Sequence, residues 1–463
     1  MFHFCNHTRD QLQRTTATLS GVARDAGCRT VRSRTKKMEQ AVAYSTLALT
    51  VTLAVSRPRL GVRGLRFTPG TAALVGVTLL VLTGILTFDD MVTSAVVQWR
   101  PLLALTSIMV MTGVVHEVGA FERLARRIEA HAQRTSPARA FDLVFLVSVL
   151  TPSLLNNDAA ILLLTPLVVA LTRRLYPGRP ELTVAFAFAV FLAPGVAPFV
   201  ISNPMNMIVA EFAGVGFNAY ARVMAPISIA GALLTFVVLR LHFRRVLASV
   251  TASPAAVEMV APHRAERPAV FLLLAVFVAY PVMAWLGGPI WVISLAGAIS
   301  CLLLAWRYRV APAQKLLQHV SPDILVFLWA VFLVVVGLRH VGVVDRLTSL
   351  YQSAPTGSLH ELGVVGGVAA LGSALVDNHP MSILNMMALG SHGSSRPLLA
   401  ALIGGDIGPR LLPIGSLAGL LWMDLLRRSG VEISIGKFLR LGTLVLLPTL
   451  TLSLVMLWLI GAP

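Results

Sequence analysis

Long apolar blocks separated by short basic loops dominate the chain. Leu74–Leu86, Ala269–Leu286, Ile290–Trp306, Ile324–Leu338 and Leu441–Ile460 carry almost no charge. Apolar residues fill these blocks on every side instead of alternating, which is the pattern of a helix surrounded by hydrocarbon. About 20 such residues carry a helix across a bilayer. One short run could be a core helix of a soluble protein. So many in one chain predict an all-α polytopic membrane protein.

Loop charge sets the sidedness, because basic residues stay on the cytoplasmic side. Arg57, Arg59, Arg63 and Arg66 place one loop inside, Asp89 and Asp90 mark the next as external, and Arg123, Arg126, Arg127, Arg134 and Arg139 return the chain to the inside. The same side recurs at Arg173 and Arg174, at Arg240–Arg267, at Arg307, Arg309 and Lys315, and at Arg427, Arg428, Lys437 and Arg440. The pattern closes only if Phe141–Leu171 enters and leaves from the cytoplasmic side as a helical hairpin, and Leu359–His392 does the same from outside. The halves then have opposite orientation and should resemble each other. Gly119-x-x-Glu122-Arg123-Leu124 parallels Gly342-x-x-Asp345-Arg346-Leu347, Asn156-Asn157-Asp158 parallels Asp377-Asn378-His379, and Pro194-x-x-x-Pro198 parallels Pro409-x-x-x-Pro413. Inverted repeats of this kind belong to secondary transporters. The expected organisation is a basic polar tail over residues 1–37, a first repeat over 38–245, a cytoplasmic linker over 246–266 and a second, inverted repeat over 267–463. The tail would lie outside, where basic residues are disfavoured; a start at Met38 removes that conflict.

Polar residues inside apolar blocks are expensive and mark function. Four groups stand out, two in each half. Asn156-Asn157-Asp158 and Asp377-Asn378-His379 sit at the two hairpin tips, where they can cap the returning helices and also offer a ligand hydrogen bonds. Pro194-Gly195-Val196-Ala197-Pro198 with Ser202-Asn203-Pro204-Met205-Asn206, and Gly404-Gly405-Asp406-Ile407-Gly408-Pro409-Arg410 with Pro413-Ile414-Gly415-Ser416, break two membrane helices. The freed backbone groups must face protein or a watery cavity. Two tips and two unwound helices would therefore meet at the midplane. The candidate binding residues are Asn157, Asp158, Ser202, Asn203, Asn206, Asn378, His379, Gly415 and Ser416, and the candidate proton carriers are Asp158, Asp377 and Asp406. For Asp406 and Arg410 a purely structural ion pair at a kink is the competing reading.

Composition narrows the choice further. Of 463 residues, 56% are hydrophobic and 13% charged, too few charges for a soluble surface of this size. The net charge is +17, but the Arg residues cluster in short loops between the apolar blocks, which argues against nucleic acid. Cys5, Cys28 and Cys301 are scattered and have neither metal-ligand nor disulfide spacing. No cofactor or metal is expected. A Gly-x-x-x-x-Gly-Lys loop is absent, so the chain cannot hydrolyse ATP itself. Gly404-Gly405-Asp406 is not the Gly-x-Gly-Asp arrangement of an intramembrane aspartyl hydrolase, no Ser-His elbow occurs, and the chain is read as a transporter and not an enzyme. A channel would need no proton-linked acids.

At these residues the chain resembles the arsenical pump membrane protein family of the wider ion transporter superfamily. The resemblance rests on Gly405-Asp406-Ile407-Gly408-Pro409-Arg410-Leu411-Leu412-Pro413-Ile414-Gly415-Ser416-Leu417-Ala418, continuing through Leu420-Leu421-Trp422 to Val431-Glu432-Ile433-Ser434. Asn157-Asp158, Leu164-Thr165-Pro166, Ile201-Ser202-Asn203, Asn206, Gly216-Phe217-x-x-Tyr220, Val334-Val335-x-Gly337-Leu338-Arg339 and Asn378-x-Pro380 add to it. It implies a multi-pass protein of the cytoplasmic membrane that exports arsenite, and antimonite with it, in exchange for protons, by an elevator-type movement of the hairpin and broken-helix unit. By family analogy a separate soluble ATPase partner is open to it, and so is a homodimer. A sodium/proton antiporter or a carboxylate or other anion permease of the same superfamily is the alternative. Two departures stand out: Ala193 occupies a place where the family carries an acid, and Asp377 one where it carries Asn.

Overall fold

The computed structural model describes residues 37–54, 67–155, 157–248, 261–390 and 395–461. The tail expected over residues 1–37 falls almost wholly outside the described residues, as does most of the linker expected over 246–266. Among the described residues all regular structure is helical, and seven helices are long and apolar enough to cross a membrane. Phe271, Trp285 and Trp306 stand largely exposed on the outer surface, as lipid-facing side chains do.

The elements recur in the same order in the two halves. After α1 (residues 37–54), the first half contains α2 (Pro69–Leu82), α3 (Phe88–Glu117), α4 (Ala120–Gln133), α5 (Pro137–Leu154), α6 (Asn157–Leu175), α7 (Pro180–Leu192), α8 (Pro204–Phe212) and α9 (Phe217–His242). The short α10 (Arg244–Leu247) follows, and α11 (Glu266–Trp285) opens the second half. Then come α12 (Ile290–Arg307), the short α13 (Ala313–Leu317), α14 (Pro322–His340), α15 (Val343–Gln352), α16 (Leu359–Val376), α17 (Asn378–Leu389), α18 (Ser395–Ile407), α19 (Leu417–Arg428) and α20 (Ile435–Ile460). α4 and α15 are amphipathic, and each starts on a left-handed glycine, Gly119 and Gly342, both at φ 79°. Only glycine takes that conformation without strain. The sequence match at these two positions thus marks the same backbone bend, although the Arg-rich stretch after Gly119 reads as a loop from charge alone.

Helix pairing between the halves shows their relative direction. Gly70 N–H donates to Asp323 Oδ1 at 3.0 Å, and Gly337 lies against Leu80, so α2 and α14 run parallel. The Trp99 and Trp291 rings meet at a tilt with centroids 5.3 Å apart and Gly297 lies against Met111, so α3 and α12 also run parallel. α2 and α3 reverse direction across a short turn. The first helix of one pair therefore runs with the second helix of the other, and equivalent helices point opposite ways.

Each half then folds a hairpin. Ser136 caps α5 by accepting from Arg139 N–H, and Ser358 caps α16 by accepting from Glu361 N–H. Both first arms are 18 residues long. Their return arms, α6 and α17, bring Asn157 and Asn378 to the ends of the tips. The hairpins run slightly beyond the Phe141–Leu171 segment expected in the first half and end at Leu389 in the second.

Candidate functional site

Prolines and glycines unwind the two broken helices where the sequence places them. α7 stops at Leu192, and the chain runs through one 3-10 turn, Val200–Ser202, before α8. α18 stops at Ile407, and two 3-10 turns, Gly408–Arg410 and Pro413–Gly415, precede α19. The caps of the resumed helices match: Asn203 is extended and its Oδ1 accepts Met205 N–H at 3.0 Å, and Ser416 is extended and its Oγ accepts Gly419 N–H at 2.9 Å.

One cavity joins these parts. It is lined by Asn157, Asn203, Pro204, Asn378, His379, Asp406, Pro409, Arg410 and Ser416, with Ile161, Phe191 and Pro194. Asn157, Asn203, Asn378 and Ser416 each cap or begin a helix, so the starts of α6, α8, α17 and α19 converge on the same space. Helix N-termini carry partial positive charge and unpaired N–H groups, which favour oxygen-rich ligands. Asn157 Oδ1 is buried and has no hydrogen-bond partner among the described residues, so it presents an acceptor to whatever enters.

Asp406 is the carboxylate of this cavity, and the first half of the protein holds it. Asn203 Nδ2 donates to Oδ1 at 2.7 Å; Ala197 N–H and Asn206 Nδ2 donate to Oδ2 at 2.9 and 3.3 Å. Asn206 Nδ2 also reaches Tyr220 Oη at 2.7 Å, and Tyr220 Oη donates to Ala197 O at 3.2 Å. Asp406 also borders a second hollow beside Ser153, Ser202 and Ser228, with Asn157 and Asn203 shared between the two.

Arg410 does not pair with Asp406: among the described residues there is no ion pair between them. Its Nη2 donates to Leu192 O at 2.6 Å and Pro194 O at 3.1 Å, and its Nη1 to Thr449 Oγ1 at 3.2 Å and Thr235 Oγ1 at 3.4 Å. The guanidinium thus caps the carbonyl end of α7, where a cation meets the negative end of the helix dipole.

The remaining candidates divide. Asn378 Oδ1 accepts Ser382 Oγ at 2.9 Å while its side chain borders the cavity. Ser202 donates to Ser153 O at 3.2 Å and faces the second hollow. Asn206 is fully buried behind Asp406 and supports it. At Gly415 a Cβ would stand 2.8 Å from Ala374 Cα and Ser373 O, so the residue packs its backbone closely against the second hairpin. Asp377 is not among the residues that line the cavity. Its Oδ1 accepts from His379 Nδ1 at 2.6 Å and from His379 N–H at 2.9 Å, and it borders an apolar recess of α1 and α14 instead of the cavity. Asp158 falls in the first turn of α6, and its side chain lies outside the described residues, as does Asn156. Sequence reasoning missed Thr235 and Thr449, and named Tyr220 only as part of the family resemblance, not as a support of the site. A lone hydroxyl in an apolar helix was the only local signal, and their partners are far away in sequence.

Two hairpins and two broken helices closing on a polar cavity, inside a bundle of bilayer-length helices, define a multi-pass membrane transporter. Residues 43–460 match the arsenical pump membrane protein family, and the chain belongs to that family. It is 29% identical over 430 residues to the arsenical pump membrane protein of Escherichia coli strain K12, covering 89% of this chain and 97% of that one. It is 30% identical over 430 residues to the protein of the same name from Yersinia enterocolitica, with the same coverage. An uncharacterised transporter of Mycobacterium tuberculosis is 27% identical over 410 residues, 84% of this chain and 92% of that one. Among solved structures the fold is similar to the YdaH transporter of Alcanivorax borkumensis, with a TM-score of 0.55 at 16% identity, covering 92% of this chain and 97% of that one.

Proposed function

We propose that the chain exports arsenite, and antimonite with it, across the cytoplasmic membrane in exchange for protons. The observation that carries this reading is Asp406: among the described residues, the carboxylate at a cavity ringed by amides, a hydroxyl and four helix starts. Arsenite near neutral pH is mainly the uncharged trihydroxide. Its hydroxyls need both donors and acceptors once out of water, and Asn157, Asn203, Asn378 and Ser416 supply both. The position of Asp406 at the cavity supports a role in proton exchange. Asp158, next to Asn157 in the first turn of α6, is the second candidate carrier.

An elevator movement of hairpins and broken helices against a scaffold of α1–α3 and α11–α14 is supported by the character of their contact. The recess beside the second hairpin tip is mainly apolar, with Leu47, Val51, Phe327, Val331, Val334 and Val376 beside Thr50 and Asp377, a face that can slide with few hydrogen bonds to break. A carboxylate permease fits less well, because the cation at the cavity, Arg410, commits four hydrogen bonds to α7 carbonyls and threonines.

Everted membrane vesicles test the reading. An imposed pH gradient, acid inside, should drive saturable arsenite uptake that a protonophore collapses. Uptake indifferent to the gradient would end the proton-exchange assignment. Transport of sodium or citrate in its place would select the alternative permeases.

A further inference from the structure

The end of α3 and the joint between α13 and α14 bring together three metal-ligating side chains that the transport cavity does not use. His116 and Glu117 close α3, and His319 follows α13. His319 Nε2 lies 2.9 Å from Glu117 Oε1, His116 Nδ1 lies 3.6 Å from the same oxygen, and the two imidazole centroids are 4.9 Å apart. The three ligand atoms fall within 4.8 Å of one another. Nitrogen and oxygen ligands sit about 2.0–2.2 Å from a tetrahedral zinc, which puts neighbouring ligand atoms roughly 3.3 Å apart. The two measured separations from Glu117 Oε1 bracket that value.

The surroundings favour the arrangement. Gly113, one turn before Glu117, gives His319 room: a Cβ there would stand 2.7 Å from His319 Cβ. Lys315 Nζ holds Glu117 Oε2 at 2.7 Å, which turns Oε1 toward the two imidazoles. The Glu117 carboxylate is nearly buried, whereas Lys315 is more than half exposed and can swing away from an incoming ion. The His116 ring is about half exposed, which leaves an entry path.

We propose that His116, Glu117 and His319 bind one divalent transition-metal ion of the zinc class, clipping α3 to the α13–α14 joint of the scaffold. Two imidazoles and one carboxylate suit zinc, cobalt(II) or nickel better than magnesium or calcium. Three protein ligands leave a fourth position for water. The site is separate from the transport cavity and does not depend on which solute is carried.

The test uses the full chain, purified without a histidine tag, and titrated with cobalt(II) while visible absorption is read. One cobalt per chain with a four-coordinate spectrum is expected, displaced by zinc. His319→Ala should weaken binding at least about tenfold, the lower end of what even an outer-shell change costs a metal site. Zinc should also raise the melting temperature of the wild type and leave His319→Ala unmoved. Glu117→Gln also releases Lys315, so His116→Ala decides if that variant does not fold. No cobalt binding by monodisperse wild type, or equal binding by wild type, His116→Ala and His319→Ala, would overturn the site and leave Glu117 as the centre of an ion-pair cluster.

Discussion

Asn203 Nδ2 donates to Asp406 Oδ1 at 2.7 Å, joining the cap of one broken helix to the carboxylate beside the break in the other. Ala197 N–H completes the tie from the unwound segment itself. Neither break can rearrange without disturbing the other. Protonating Asp406 would remove negative charge from the acceptor of these bonds, so under the proposed proton exchange this one side chain would link protonation to the fit between the two halves.

Asp406→Asn should keep the fold and lose gradient-driven uptake. An amide offers one acceptor oxygen where the carboxylate offers two, and its NH2 would face a donor. A hydrogen bond to a charged group contributes about 1.5–3 kcal/mol, partly offset because a neutral side chain is cheaper to bury. A modest fall in melting temperature with no arsenite accumulation in everted vesicles is the expected result. Accumulation at the wild-type rate would remove Asp406 from the coupling step.

Arg410 should behave as a structural clamp. Arg410→Met leaves Leu192 O and Pro194 O buried without their donor, at about 1–3 kcal/mol for each orphaned group. Arg410→Lys can reach only part of the same set and should fall between Met and the wild type. Gly195→Ala should act in the same direction, since its Cβ would stand 2.7 Å from Arg410 Nη2. Melting temperatures in detergent check the order. A raised KM for arsenite at unchanged melting temperature would mean that Arg410 binds the solute instead.

The unwound segments were legible in the sequence because proline and glycine cluster there, Pro194, Gly195 and Pro198 in one and Gly408, Pro409 and Pro413 in the other, whereas single prolines such as Pro101, Pro152 and Pro226 sit inside continuous helices. The tips were legible for a similar reason, through asparagine and aspartate at capping positions. Asp406 was legible as a buried acid, but its partners were not. Asn203, Asn206 and Ala197 lie about two hundred residues away, and such a bond leaves no trace in local pattern. The place of Asp377 at the apolar recess was not legible either. At a tip, one position of register turns a side chain from the cavity to the scaffold, and hydropathy does not resolve that step. Nor did the arginine clusters reveal that α4 is a helix, because its charged face dominated the composition of a stretch whose other face is apolar.

Tyr220→Phe should test the support behind Asp406. The hydroxyl accepts from Asn206 and donates to Ala197 O, so its loss frees the amide that holds Asp406 Oδ2. A typical hydrogen bond contributes about 0.5–1.5 kcal/mol, and an unpaired buried partner costs somewhat more. The expected outcome is a melting temperature lowered by a few degrees and slower uptake at unchanged gradient dependence. Uptake that no longer responds to the gradient would place Tyr220 itself on the proton path.

Asp377 offers the sharpest separation of structure from transport. Its backbone sits at φ 87° and ψ 148°, a region that suits glycine and costs other residues about 1–3 kcal/mol. Two bonds to His379 hold it there, one of them a cap on the first turn of α17. Asp377→Asn keeps a capping oxygen and should be near the wild type in stability. Asp377→Gly relieves the backbone but loses the cap, so the two effects oppose. Asp377→Ala keeps the strain and loses the cap, worth about 0.5–2 kcal/mol, and should be the least stable of the three. Because the side chain faces the apolar recess of α1 and α14, Asp377→Asn should also leave the pH profile of arsenite uptake unchanged. Initial rates measured across pH decide the matter: a profile displaced in Asp377→Asn but not in Asp377→Glu would return this carboxylate to the proton pathway and move the coupling site from the broken helix to the hairpin tip.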